Sequence, residues 1–197
     1  MGGKNSNIGR NSQILVVGLE RSGKTLLLKK LMELKSPEIE GGTIESTKAF
    51  DYIKIKINNN FFDFWELGGG EISRLYWPTF YRNLKFGFVF YLINIFDIST
   101  HFNSLKELLI LVNEEELKQA NFILIFNVIF DGKNFANNES SWKYALELKE
   151  QMLEQLKESP IHDFDLRVGS VLIDVSKIKD KEMKTEELIG LFKMNSY

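Results

Sequence analysis

Cysteine is missing from all 197 residues. That absence removes disulfides, thiolate metal sites, prenylation and palmitoylation together, and it fits a reducing compartment. Histidine is nearly as scarce. His101 and His162 lie far apart, without acidic residues at metal-ligand spacing, and both read as surface residues rather than ligands. No run of about 18 apolar residues occurs, so no segment reads as a membrane-spanning helix. The longest apolar stretch, Phe86 to Phe96, is strand-like in its aromatic and β-branched content, and no secretory hydrophobic region is present. An excess of one charge is lacking too: the net charge of −2 sets up no global field for nucleic acid or anionic lipid. What remains is an ordinary soluble composition, 44% hydrophobic and 26% charged, in a length that makes one domain the simplest reading.

Against that plain background one segment stands out. Gly18-Leu19-Glu20-Arg21-Ser22-Gly23-Lys24-Thr25 fits G-x-x-x-x-G-K-[ST] at every fixed position. Glycines at both ends let a backbone wrap closely around a polyphosphate, with successive N–H groups turned inward. Gly18, Glu20, Arg21, Ser22, Gly23, Lys24 and Thr25 are therefore the candidate phosphate-binding residues. Lys24 has the reach for the outer phosphates, and the Thr25 hydroxyl suits Mg²⁺. The flanks agree with this reading. Ile14-Leu15-Val16-Val17 reads as a buried parallel strand, and Leu26 to Met32 as a helix whose N-terminus faces the phosphates.

Apolar runs alternate with helix-period segments along the rest of the chain. The pattern predicts strands over 13–17, 52–57, 61–65, 87–95, 122–127 and 168–175. It predicts helices over 25–35, 75–84, 104–119, 141–157 and 185–193. On the fourth helix Trp142, Ala145, Leu146, Lys149, Met152, Leu153 and Leu156 share a face. Asn58-Asn59-Asn60 reads as a hairpin turn, so the second and third strands should be antiparallel at one edge. The others, joined by helices, should be parallel. The expected fold is a doubly wound α/β sheet of six strands, mostly parallel, with helices on both faces and its ligand at the carboxyl ends of the strands. Residues 177–184 are charged and read as a solvated loop.

Phe62-Asp63-Phe64-Trp65-Glu66-Leu67-Gly68-Gly69-Gly70 ends a strand in an acid and three glycines. After a phosphate loop this is the second half of the site: the acid beside Mg²⁺ through water, a glycine N–H toward the terminal phosphate. Here the chain resembles the Arf and Arf-like family of small GTP-binding proteins over most of its length. GLERSGKT is similar to that family's GLDxxGKT, and Trp65-Glu66-Leu67-Gly68-Gly69 to its WDxGG. Arg74 and Trp77 fall on its R-x-x-W, and Thr47-Lys48-Ala49-Phe50-Asp51 on its T-I-G-F-N. The resemblance implies a P-loop NTPase fold of the small G-protein type over 13–197, preceded by a polar tail over 1–12. It implies GTP/GDP and Mg²⁺ as ligands, with Thr25, Thr47 and, through water, Glu66 around the metal, and Gly69 as the glycine at the terminal phosphate. Thr43 and Ser46 are neighbouring hydroxyls that compete with Thr47 for its role.

The departures from the family are equally specific. Its water-orienting Gln is Gly70 here, which has no side chain for that task, so no catalytic residue is assigned; Glu71 follows and reads as solvated. Its Asp before the glycines is Glu66, one methylene longer. Its guanine-reading N-K-x-D is Asn127-Val128-Ile129-Phe130-Asp131, with the Lys gone and the acid one residue late. Asn127 and Asp131 remain the base-binding candidates, with Ser176 and Lys177 in a weak match to the loop that backs the base. Without a carboxylate at the expected offset, guanine should be poorly distinguished from adenine.

Met1-Gly2-Gly3-Lys4-Asn5-Ser6 fits the N-myristoylation pattern with Gly2 as acceptor, and the resemblance strengthens that expectation. The tail offers only Ile8 as a large apolar residue before Ser12, so membrane contact through the lipid should be weak. Two readings stand side by side. One is a switch with slow or absent GTP hydrolysis, recruiting a protein effector through Thr43–Asp51 and Leu67–Trp77. The other is a pseudo-GTPase serving as a subunit of a larger assembly. No nucleic-acid partner is expected. The expected setting is cytoplasmic, at a membrane periphery or within a large intracellular complex.

Overall fold

Successive residues of the first strand face opposite ways, and each set meets its own apolar layer. That is the organising fact of this fold, seen in a computed structural model that describes residues 12–33, 39–46, 50–57, 60–158 and 167–178. In chain order the elements are β1 Ser12–Val17, α1 Lys24–Glu33, β2 Ile39–Ser46, β3 Phe50–Ile57, β4 Asn60–Leu67, α2 Glu71–Arg74 and α3 Trp77–Tyr81. Then come β5 Phe88–Asn94, α4 His101–Asn113, β6 Asn121–Asn127, α5 Glu139–Lys157 and β7 Val168–Ile173. Ile14 and Val16 pack with Leu27, Leu28 and Leu31 of α1 and with Phe88, Phe90 and Ile125 of the sheet. Leu15 and Val17 face the other way, toward Trp77, Leu108, Leu111, Ala145, Met152 and Leu156 from α3, α4 and α5. Period-two alternation in the strands and 3.6-residue spacing in the helices thus make a three-layer structure. Each fully buried aromatic or branched side chain contributes about 1.5–3 kcal/mol.

The sheet order is β2-β3-β4-β1-β5-β6-β7. β4, β1, β5, β6 and β7 run parallel, while β3 is antiparallel to both β2 and β4. The carboxyl ends of β1, β4, β5, β6 and β7 therefore meet on one edge. There the chain leaves the sheet at Gly18, Gly68, Ile95, Val128 and Asp174.

All six expected strands are present, and a seventh, Ile39–Ser46, extends the sheet beyond the antiparallel pair, which is therefore not the edge. Gly41-Gly42 interrupts the apolar pattern of that stretch, which carries no strand signal in the sequence. The register shift between Glu40 and Thr43 shows how a strand accommodates the glycines, as a bulge. The expected helix over 75–84 is instead two short helices, parted at Leu75 and Tyr76, with Pro78 at the start of the second. The helix expected over 104–119 begins at His101 and ends at Asn113, with a 3₁₀ turn at Glu115–Leu117. On α5 the buried stripe is Ala145, Leu148, Met152 and Leu156, while Leu146 is 47% exposed. Leu148, buried here, lies outside the expected face. β7 stops at Ile173, two residues before the expected end. His101 is half-buried rather than on the surface. Its Nε2 lies 3.0 Å from the Ile95 carbonyl oxygen, and burial holds its pKa below the usual value. Gly2, Thr47, His162, most of the charged loop and the expected helix over 185–193 lie outside the described residues.

Candidate functional site at the carboxyl edge of the sheet

The phosphate loop is held in shape by two glycines that no other residue replaces. Gly18 has φ +142°, and a Cβ on it would lie 2.3 Å from the Leu92 carbonyl oxygen. Gly23 has φ +97°, and its Cβ would meet Asn127 Nδ2 at 2.2 Å. Both need a left-handed backbone and a close approach that only glycine allows. Arg21 also sits in the left-handed region, at φ 59°; for a residue with a Cβ that costs roughly 1–2 kcal/mol, which the rest of the loop must offset.

Lys24 opens α1 and points back under the loop. Its Nζ donates to the carbonyls of Gly18 at 3.0 Å and Leu19 at 2.9 Å, and the residue is 7% exposed. Burial pushes its ammonium down to about 8, against the pull of the Glu66 and then the Glu20 carboxylates. The Ser22 hydroxyl, buried in the same loop, has no protein partner. On the residue after Lys24, the Thr25 hydroxyl donates to Glu66 Oε1 at 2.5 Å. Burial raises the Glu66 pKa, while the Thr25 hydrogen bond and the Lys24 charge oppose it. A hydroxyl and a carboxylate side by side are hard oxygen donors suited to Mg²⁺. Among the described residues no cluster of three or more His, Cys, Asp or Glu forms a metal cage. That donor pair fits an ion that keeps its waters and leans on phosphate oxygens. Thr25 would hold it directly and Glu66 through water.

The glycine turn after β4 lies directly on this loop. A Cβ on Gly69 would be 2.4 Å from the Gly18 carbonyl oxygen. Two side chains, from α2 and α3, fix the turn from behind. Arg74 Nη1 donates to the Gly69 carbonyl at 2.9 Å, and Trp77 Nε1 to the Gly68 carbonyl at 2.9 Å. Arg74 is itself paired with Glu107 of α4 at 3.1 Å. These are the R-x-x-W residues read in the sequence, and their work here is to hold the turn against the phosphate loop.

The base end is built differently. Asn127, 1% exposed, donates from Nδ2 to the Ser22 carbonyl at 3.0 Å and accepts at Oδ1 from the Val175 N–H at 3.1 Å. It ties the phosphate loop to β6 and to the turn after β7. Asp131 caps its own loop. Its carboxylate accepts from the backbone N–H groups of Lys133, Asn134 and Phe135 and from Asn134 Nδ2. The Phe135 and Asn134 donors hold its carboxyl at about 2. At the offset where the family has its acid stands Phe130, whose ring packs edge-on to Trp142 and 5.8 Å from Phe96. Ser176 donates from both N–H and Oγ to Asp174, and Lys177 sits 3.5 Å from Asp174 and over the Phe130 ring. The structure thus gathers Asn127, Ser176 and Lys177 at one place and leaves Asp131 engaged elsewhere. Asp174 was missed in the sequence, although an Asp two residues before a Ser at a strand end is a readable cap signal.

A phosphate loop leaving the central strand, with a lysine, a hydroxyl, an acid and a glycine turn gathered at one sheet edge, is the architecture of a phosphate-loop protein with the small G-protein fold. Comparison with known proteins narrows the class. The model of the ADP-ribosylation factor family matches residues 3–185, and the chain belongs to that family. It is similar to an ADP-ribosylation factor-like protein of Dictyostelium discoideum, 29% identical over an alignment of 121 residues that covers 58% of this chain and 64% of that protein. It is likewise similar to ADP-ribosylation factor-like protein 1 of Drosophila melanogaster, 31% identical over 118 residues, 60% of this chain and 62% of that one. The matches thus span a little over six-tenths of these relatives' length. The solved Arl6 (BBS3) small GTPase of Trypanosoma brucei, with its nucleotide analogue GppNp, shares the fold at TM-score 0.66 and 17% identity, over 93% of this chain and 96% of that one.

Proposed function

We propose that this protein is an Arf-type nucleotide switch that binds GTP and GDP with Mg²⁺ and hydrolyses GTP slowly or not at all. The observation that carries the reading is the buried Lys24 ammonium, held by two loop carbonyls with no carboxylate hydrogen-bonded to it, beneath the Gly69 turn. A buried cation kept on backbone carbonyls is poised for phosphate oxygens. Thr25 and Glu66 support Mg²⁺, and Thr47 is the proposed additional ligand from the Thr43–Asp51 segment; Mg²⁺, when bound, neutralises charge on the phosphates. Gly69 supplies a backbone N–H, and Gly70 supplies no side chain to orient water. An effector is proposed to dock on Leu67–Trp77, where Ile72, Leu75 and Tyr76 are 74%, 76% and 60% exposed. Gly2 is proposed to carry the acyl chain, with weak membrane contact.

A second reading, the pseudo-GTPase subunit, is favoured by the base end. There Phe130 stands at the acid's offset and Asp131 is engaged in its own loop. One set of measurements separates the two. Purified protein should release bound nucleotide, ATP should compete with labelled GTP to within about tenfold, and single-turnover hydrolysis should not exceed roughly 10⁻⁴ s⁻¹. Protein that neither carries nor takes up nucleotide would leave the pseudo-GTPase reading alone. A much faster rate would show that another residue orients the water.

A further inference from the structure

Glu20 stands in the phosphate loop, and its side chain reaches across to the glycine turn. A Cβ built on Gly70 would lie 2.7 Å from Glu20 Oε1 and 3.5 Å from its Cδ. The missing side chain at position 70 therefore does more than remove a water-orienting group. It leaves the space into which a carboxylate of the protein's own loop extends. The neighbouring Gly69 packs on the same loop, its Cβ position 2.7 Å from the Glu20 backbone nitrogen. Glu20 also acts through space on the Lys24 ammonium. An anion tethered to the loop thus already stands among Lys24, Gly69 and Gly70.

We propose that Glu20 is a specificity-determining residue that makes this site favour a nucleoside diphosphate over a nucleoside triphosphate, its carboxylate standing where the terminal phosphate enters. The inference rests on the nucleotide-binding reading above. Two anions beside one ammonium repel each other, so a terminal phosphate must displace the carboxylate. A diphosphate ends short of that position and leaves Glu20 in place. Because Glu20 is solvent-exposed at the rim of the site, it can swing out, so it gates the triphosphate rather than excluding it. Any side chain at position 70 competes for the same space.

Equilibrium binding of GDP and of a non-hydrolysable GTP analogue, in Mg²⁺ and with the full chain, tests this in wild type, Glu20→Gln and Glu20→Ala. Wild type should bind GDP at least about tenfold more tightly than the analogue. Both variants should tighten the analogue relative to GDP by about fivefold or more. Gly70→Ala, which pushes the carboxylate aside without removing its charge, should move the ratio in the same direction by less. Equal affinity of wild type for both nucleotides, or a ratio that ignores Glu20, overturns the inference while leaving the nucleotide site standing. If no form binds either nucleotide, the nucleotide reading fails and this one fails with it.

Discussion

The two ends of the candidate site meet their polar groups' needs by opposite means. At the phosphate end, Lys24 donates to carbonyls of its own loop and the Ser22 hydroxyl has no protein partner. At the base end, Asn127, Asp131, Asp174, Ser176 and Lys177 bond among themselves and to nearby backbone. Buried or capping polar groups that already have partners gain little from a ligand, whereas groups held only on replaceable partners gain much. The comparison implies that a ligand's binding energy should come from phosphates, while the polar groups of the base end brace the loops around them. Asn127 joins the two ends, because the same amide supports the phosphate loop at Ser22 and the turn at Val175.

The largest effect should come from Lys24→Ala. It removes the buried cation of the phosphate end and touches nothing at the base end. Nucleotide affinity should fall by about 100-fold or more, since charge-assisted bonds to phosphate are the strongest in the site. Folding should suffer little, because burial already holds the ammonium down at about 8 and so works against the charged form. Calorimetric binding and a thermal melt on the same preparation check both parts. Wild-type affinity in this variant would mean that the loop is not the site.

Asn127→Ala should come next, and it should injure both ends at once. The substitution leaves the Ser22 carbonyl and the Val175 N–H without their buried partner. Two such losses, each about 1–2 kcal/mol, should lower stability by about 2–4 kcal/mol in denaturant unfolding. Nucleotide binding should weaken as well, because Gly23 packs directly on that amide. A loss of stability with unchanged affinity would separate the two ends and break the comparison.

How much of this was legible beforehand follows the same division. The phosphate loop was readable because its chemistry imposes local rules: two glycines, a lysine and a hydroxyl at fixed spacing, between an apolar strand and a helix. The central strands were readable because full burial writes itself as continuous apolar runs. β2 was not, because Gly41 and Gly42 carry no burial signal and an edge strand pairs on one side only. The Glu20–Gly70 contact was invisible for another reason. It joins residues 50 positions apart, and nothing in either local sequence announces a long-range approach. Asp131 shows the limit most sharply. An acid near the right offset reads as a base ligand, but its loop offered three backbone N–H groups within four residues, and nearby donors win over distant ones.

The smallest expected effect probes that last point directly. Asp131 carries a carboxyl held at about 2 by its own loop, against an ordinary 3.8. A carboxylate whose folded pKa is depressed stabilises the fold above the unfolded value, and that contribution is lost as pH falls through the folded one. The loop over 131–135 should therefore stay closed from neutral pH down past 3.8 and open only near 2. The backbone amide resonances of Asn134 and Phe135 report this in an NMR titration, since both N–H groups donate to the carboxylate. Their shifts should hold to about pH 3 and then move together. Asp131→Asn, which keeps the shape and removes the charge, should abolish that transition while changing nucleotide affinity less than about twofold. A midpoint close to 3.8 would instead describe a carboxylate free of its loop. That group would be available to a nucleobase, and the base end would then have to be described as a binding surface rather than a brace.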